Sequence, residues 1–141
     1  MLSVNQLNKS FGGLQANKNI NFDVSQGEIL GVIRPNGAGK STLFDLLTGF
    51  EKPDSGDVLF QERLIAGMRP DQINRLGVGR TFQKLKPFPQ MTVEENVMVG
   101  VMQHNSRMKD ARVEAKRYLE FVGLQDKSHV YACLLYTSPS P

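Results

Sequence analysis

The first half of the chain changes its pattern of apolar and polar residues several times, and each pattern predicts a different element. Residues 2–26 alternate weakly, which predicts strands joined by a turn at Gly12-Gly13. The apolar run within residues 28–33 predicts a buried strand. Residues 39–48 have amphipathic spacing and are followed by Gly49, so they predict a helix that ends at this glycine.

The second half of the chain becomes increasingly helical in its pattern. Short strands are predicted at Asp57–Phe60 and Val78–Phe82, and a short helix at Pro70–Leu76. Residues 93–103 and 108–122 predict two longer helices. The second of these is expected to present one face formed by Ala111, Ala115, Tyr118 and Val122. Strands mixed with helices in this way indicate an α/β fold.

The segment between the strand predicted at 28–33 and the helix predicted at 39–48 carries candidate chemistry. It reads Arg34-Pro35-Asn36-Gly37-Ala38-Gly39-Lys40-Ser41-Thr42. This fits the phosphate-loop pattern G-x-x-x-x-G-K-[ST] at every fixed position but the first. Glycines let the backbone approach phosphate oxygens, Lys40 is expected to reach the β- and γ-phosphates, and the Ser41 hydroxyl is expected to bind Mg²⁺. The alternative is an ordinary strand-to-helix turn, because a G-K-[ST] tripeptide also arises by chance.

Residues 36–42 are therefore the candidate nucleotide-binding residues: Asn36, Gly37, Ala38, Gly39, Lys40, Ser41 and Thr42. Arg34 stands where the pattern requires glycine. A Cβ and a long charged side chain at this bend are expected to strain the loop and weaken nucleotide binding.

Several further segments, in order, resemble landmarks of the ATP-binding subunits of ABC transporters over about residues 2–127. They are Lys9–Gly13, Gly27–Ile29, Leu46–Phe50 with the following Lys52-Pro53 and Ser55-Gly56, Gly79–Gln83 and Thr92–Val97. The resemblance implies an incomplete P-loop NTPase-type core, an N-terminal antiparallel β subdomain and the start of a helical subdomain.

The same resemblance assigns site residues. Phe11 would stack on adenine, and stacking on an aromatic face is worth about 1–3 kcal/mol per base. Gln83 would contact Mg²⁺ and the attacking water, so that Gln83 and Lys40 are the candidate catalytic residues and Ser41 and Gln83 the candidate metal ligands. Thr92 and Glu95 have capping-box spacing and need no functional role.

The form of Arg80–Gln83 and Thr92–Val97 most resembles subunits of branched-chain amino acid importers, and urea importers look similar. The resemblance implies ATP and Mg²⁺ as cofactors. It implies membrane permease subunits and a second ATP-binding subunit as partners. The expected location is cytoplasmic, peripheral on the inner face of the cell membrane.

Later segments of that family do not occur in this sequence: the Leu-Ser-Gly-Gly-Gln signature, an apolar strand ending in Asp-Glu, and a following histidine. We therefore expect residues 1–91 to form a partial core, 92–127 the start of the helical subdomain, and 128–141 a non-native tail. Residues 133–141 resemble a translated sequencing adapter, and a natural, flexible Ser/Pro-rich terminus is the alternative. The chain as written is expected to be truncated and to turn over no ATP, and a non-catalytic nucleotide-binding fragment is the alternative. The GTPase motifs N-K-x-D and D-x-x-G are absent, but a small kinase stays open.

Charge and composition exclude other classes. The 17 Lys and Arg against 14 Asp and Glu give a net charge of +3 without a basic cluster, so nucleic acid is not an expected partner. No run approaches the ~20 apolar residues needed to span a bilayer, so membrane association is expected only through a partner. One cysteine provides no disulfide framework.

Overall fold

The computed structural model describes residues 1–33, 35, 39–82, 86–102 and 107–136. The chain divides into two compact units, Met1–Arg80 and Thr81–Pro141. Each unit is described by itself below.

An antiparallel sheet forms the frame of the first unit. Its strands are β1 (Leu2–Phe11), β2 (Leu14–Val24), β3 (Ser55–Phe60) and β4 (Arg63–Leu64), in the order β2-β1-β3-β4. β1 and β2 are joined by the Gly12-Gly13 turn, which confirms the hairpin predicted for residues 2–26. The short strand predicted at 57–60 is confirmed as β3, but the two-residue β4 was not predicted.

The core of the first unit lies between this sheet and the helix α1 (Lys40–Leu47). Val4, Leu7 and Val58 of the sheet pack in one cluster with Leu43 and Leu46 of α1, and each of the five is 2% exposed or less. The helix predicted at 39–48 is therefore confirmed, and its apolar face contributes Leu43, Leu46 and Leu47 to this cluster. A second helix, α2 (Pro70–Arg75), adds the buried Ile73 and confirms the helix predicted at 70–76.

The strand predicted at 28–33 is not formed. Residues 28–33 have no regular secondary structure, and Ile29 and Ile33 are 97% and 96% exposed. A strand requires hydrogen bonds from neighbouring strands, and among the described residues the paired strands are β1 to β4. Only Val32 of this segment packs against the core.

The strand predicted at 78–82 was wrong for the same reason. These residues pair with no strand of the described sheet. The segment is fastened by side chains instead. Arg80 donates to the carboxylate of Asp45 at 2.6 Å and to the hydroxyl of Thr48 at 3.1 Å, both on or next to α1.

In the second unit, the helix α3 (Val93–Val101) begins at the predicted capping box. The Glu95 amide donates to the Thr92 hydroxyl at 3.2 Å, and the Thr92 amide donates to the Glu95 carboxylate at 2.8 Å. The hydrogen bonds from the Thr92 amide and hydroxyl hold the pKa of the Glu95 carboxyl below its usual value. The box confirms the sequence prediction and explains why α3 starts at Val93.

Residues 128–132 are fastened to the same helix start. The amides of Val93 and Glu94, in the first turn of α3, donate to the carbonyls of Val130 and Ser128 at 2.9 and 3.0 Å. The foreign origin that the sequence suggests for residues 128–141 stays a prediction, and residues 137–141 lie outside the described part of the chain.

The helix α4 (Met108–Phe121) packs against α3 through a narrower face than predicted. Ala111 and Ala115 are fully buried as expected, and Leu119 continues the row at 1% exposure. Tyr118 and Val122 were assigned wrongly, since they are 50% and 59% exposed. A row at spacing i, i+4, i+8 passes through residue 119, and the Tyr118 hydroxyl hydrogen-bonds to Glu114 at the helix surface.

In the described part of the chain, the longest helix has 14 residues. No helix of that part is long and apolar enough to cross a bilayer.

Candidate nucleotide-binding site

The start of α1 is fixed by a glycine that no other residue can replace without strain. Gly39 is the N-cap of α1 and has φ = 78°, in the left-handed region. A Cβ at this position would overlap the carbonyl oxygen of Ala16 on β2. The backbone at Gly39 therefore passes so close to β2 that only glycine fits at this position. This explains why the second glycine of the phosphate-loop pattern is needed here.

The N-terminus of α1 has the properties of an anion site. Gly39 has no side chain with which to cap the helix, and the first turn contains no acidic residue. The amide groups of a helix start and its dipole, roughly +0.5 charge, both favour an anion. These features fit a phosphate group at the position that the sequence pattern predicts.

Lys40, the first residue of α1, contacts Pro35. Its ammonium Nζ donates to the carbonyl oxygen of Pro35 at 3.2 Å, a contact that spans the segment 35–40. Ser41, in the first turn of α1, is exposed, and Thr42 is partly buried. The roles that the sequence predicts for Lys40 toward phosphate and for Ser41 toward Mg²⁺ stay predictions.

Asn17 is a buried polar residue of this site that the sequence reasoning missed. It lies on β2, is fully buried, and its amide nitrogen Nδ2 is 3.4 Å from the carbonyl oxygen of Gly39. Two neighbouring residues of β2, Ala16 and Asn17, therefore support the loop. The available signal was an asparagine at a core-facing position of an alternating strand, where a polar group requires a partner.

Phe11 is the last residue of β1 and lies at the end of the sheet near which Ala16 meets Gly39. It pairs with Leu14, and Ala16, which contacts Gly39, follows two residues later along β2. Two residues of strand span roughly 7 Å, so the predicted adenine platform and the predicted phosphate loop are a short distance apart. Phe11 is 45% exposed, and the ammonium of Lys9 lies 5.0 Å from the centre of its ring.

Other predicted site residues lie outside the described residues. These are Asn36, Gly37 and Ala38 of the loop, together with Gln83; Arg34 also lies outside them. The structure does describe Arg80, three residues before Gln83, and its guanidinium carbon lies 5.6 Å from the centre of the Phe50 ring in addition to its contacts with Asp45 and Thr48.

A helix that begins at Gly39, with Lys40 as its first residue, fits the strand-loop-helix pattern of phosphate-loop proteins. The family model described as "ABC transporter" matches residues 17–135. The chain therefore belongs to the ABC transporter family, as its sequence resemblance predicts.

Curated relatives refine this result. Over 100 residues the chain is 48% identical to the high-affinity branched-chain amino acid transport ATP-binding protein LivG of Escherichia coli K12, covering 71% of this chain and 39% of LivG. Over 127 residues it is 36% identical to the spermidine/putrescine import ATP-binding protein PotA of Fusobacterium nucleatum, covering 90% of this chain and 33% of PotA. The chain thus matches well under half the length of these relatives.

Solved structures confirm the fold. The ATP-binding cassette MJ1267 of an ABC transporter, in its ADP conformation, superposes with a TM-score of 0.81 at 30% identity, covering 94% of this chain and 57% of that chain. A nucleotide-free ATP-binding cassette from an ABC transporter gives a TM-score of 0.80 at 30% identity, with 94% and 58% covered. The predicted P-loop NTPase-type class is therefore correct.

Proposed function

We propose that this protein binds ATP with Mg²⁺ as the ATP-binding subunit of an importer for branched-chain amino acids. In the complete assembly, ATP binding and hydrolysis drive transport through membrane permease subunits, and a second ATP-binding subunit takes part. The protein then works in the cytoplasm, on the inner face of the cell membrane. Residues 1–91 supply the nucleotide-binding part and residues 92–127 the start of a helical subdomain.

The contact between Lys40 and the Pro35 carbonyl carries the nucleotide part of the proposal. The ammonium donates to this main-chain oxygen at 3.2 Å. A phosphate oxygen is a stronger acceptor for the same cation, because a charge-assisted hydrogen bond to an anion is roughly twice as strong as a neutral one. Lys40 thus exchanges one oxygen for another when a nucleotide binds.

The remaining groups have separate roles in the bound state. Phe11 stacks on the base, and the first-turn amides of α1 hold phosphate oxygens. The Ser41 hydroxyl would hold Mg²⁺, which would supply positive charge next to the phosphates. Gln83 completes the metal site and orients the attacking water, a role that rests on the sequence resemblance alone.

The choice of transported solute rests on the relatives. Identity to LivG is 48%, against 36% to PotA, although the LivG match covers the shorter stretch. A lipoprotein-releasing ATP-binding protein, LolD of Bacteroides thetaiotaomicron, is 31% identical over 131 residues. The higher identity favours the branched-chain amino acid class over polyamines and lipoproteins.

A single fluorophore tests nucleotide binding. The chain contains no tryptophan, so Phe11→Trp introduces one reporter at the proposed base platform. Titration with ATP and Mg²⁺ is expected to change the emission of this tryptophan saturably. The double variant Phe11→Trp/Lys40→Ala is expected to lose the response, and Phe11→Trp/Lys18→Ala, which removes an exposed lysine of β2, is expected to keep it.

A chimaera tests the transported solute. The matching segment of Escherichia coli LivG is replaced by that of this chain, and the corresponding segment of PotA is replaced in a second chimaera. The proposal expects leucine uptake from the first and no spermidine uptake from the second. Uptake by the PotA chimaera alone would overturn the amino acid assignment, while the fluorescence titration judges nucleotide binding separately.

A further inference from the structure

Lys9 is a residue of β1 with no role in the phosphate-loop pattern. Its ammonium lies over the Phe11 ring, 5.0 Å from the ring centre. The Lys9 side chain is only 13% exposed, whereas Phe11 is 45% exposed. A nearly buried cation therefore covers one part of an aromatic ring that is otherwise open.

Three oxygen acceptors hold this ammonium in place. It donates to the carbonyl of Lys52 at 2.8 Å, and it forms ion pairs with Glu51 at 3.3 Å and Asp54 at 3.8 Å. A lysine side chain normally loses much rotamer freedom when it is fixed. Here the acceptors that fix it belong to the turn before β3, so the fold positions the cation against the Phe11 ring.

The turn that supplies these acceptors is itself fastened to β1. The Asp54 carboxylate accepts from the Ser10 amide at 2.7 Å, and the Asp54 amide donates to the Asn8 carbonyl at 2.9 Å. The residues on both sides of Lys9 along β1 are thus tied to the same turn. Lys9, Phe11 and residues 51–54 form one connected unit at the end of the hairpin.

We propose that Lys9 is a positioning residue for the base of the nucleotide, an inference that rests on the proposed function. The ammonium holds the Phe11 ring by a cation–π contact and leaves its exposed part to the adenine. Lys9 touches neither the base nor the phosphates. Its loss should therefore weaken recognition of the base and leave recognition of the phosphates unchanged.

Two ligands separate these effects in calorimetric titrations of the full chain. ATP contains both the base and the phosphates, whereas inorganic tripolyphosphate contains only the phosphates, and both are titrated with Mg²⁺. Lys9→Met is expected to weaken ATP binding by roughly 3- to 10-fold, the range that a cation–π contact supports. Its affinity for tripolyphosphate is expected to equal that of the wild type.

Three comparison variants identify the cause of the expected loss of ATP affinity in Lys9→Met. Lys9→Arg retains a cation that stacks on aromatic rings and is expected to restore ATP binding. Lys18→Met removes one positive charge from exposed β2 and is expected to leave both ligands unaffected. In a Phe11→Ala background, Lys9→Met is expected to cause no further loss, because the two residues act through one contact.

The outcomes distinguish this inference from the proposed function. Equal weakening of ATP and tripolyphosphate by Lys9→Met would overturn the positioning role and indicate a general effect of charge or folding. Unchanged ATP affinity in Lys9→Met, with a loss in Phe11→Ala, would also overturn it and leave the proposed function standing. Absence of ATP binding by the wild-type chain and by Arg34→Gly would remove the proposed function, and the role of Lys9 with it.

Discussion

The carbonyl oxygen of Ala16 occupies the space in which a side chain on Gly39 would begin. The two residues come from a strand and from the loop that opens α1. Their close approach joins the sheet to the candidate phosphate site. It requires both the absence of a Cβ and a left-handed backbone at Gly39, with φ = 78°.

Gly39→Ala is expected to abolish ATP binding and to destabilise the first unit. The left-handed conformation alone costs an alanine about 1–2 kcal/mol, and the overlap with Ala16 adds to this. Chemical denaturation measures the stability, and ATP titration measures the binding. Gly100→Ala is the matched control, since a Cβ at Gly100 in α3 would meet nothing within 4 Å. The control should be neutral or slightly stabilising, and equal losses in both variants would contradict the steric explanation.

Arg34→Gly is expected to tighten ATP binding. The substitution restores the first glycine of the pattern and removes a Cβ from the bend of the loop. Parallel titrations of the two forms with ATP and Mg²⁺ provide the comparison. Equal affinities would show that the arginine is accommodated without cost.

Arg80 is expected to stabilise the first unit through its bond to Asp45. The guanidinium and carboxylate are 2.6 Å apart and only 20% and 32% exposed, so solvent screens the pair less than a surface pair. A double-mutant cycle with Arg80→Met and Asp45→Asn is expected to give a coupling of roughly 1 kcal/mol in the free energy of unfolding. Additive effects of the two substitutions would mean that the contact contributes nothing. Arg75→Met, at an exposed pair with Asp71, is the control.

The capping box of α3 is expected to weaken in acid. Hydrogen bonds from Thr92 lower the pKa of Glu95, so this carboxylate contributes stability above its unfolded pKa of about 4.3. That contribution is lost as the pH falls through the folded pKa. Glu95→Gln keeps an acceptor oxygen but does not titrate, and its unfolding temperature should fall less than that of the wild type between pH 7 and pH 3. Parallel pH profiles for the two proteins would exclude this role.

The local elements could be predicted because their signals lie within short stretches of sequence. The hairpin turn at Gly12-Gly13, the capping box at Thr92 and the glycine-lysine start of α1 each depend on a few neighbouring residues. The structure confirms all of them. The segment 28–33 shows the limit of this approach, because an apolar run predicts a strand only if another strand is available to pair with it.

The contacts that Asn17 and Lys9 make in the candidate site could not be predicted, because they too depend on residues far away along the chain. The partners of Asn17 and Lys9 lie 22 and 43 residues away along the chain. The strand pattern indicates at most that a core-facing asparagine needs a partner, and nothing around either residue indicates which residue that partner is. Phe11, Lys40 and Ser41 were found because a motif or a family resemblance marks them, while the roles of Phe11 and Gln83 toward a nucleotide stay predictions.

The most direct measurement is a calorimetric titration of the chain with ATP and Mg²⁺, beside Lys40→Ala and Lys18→Ala. The Lys40 ammonium, 3.2 Å from the Pro35 oxygen, is the group that we propose to bind phosphate. Saturable binding that Lys40→Ala abolishes and Lys18→Ala preserves is the expected result. Binding of equal strength in all three proteins, or in none of them and not in Arg34→Gly, would contradict a nucleotide site at this loop.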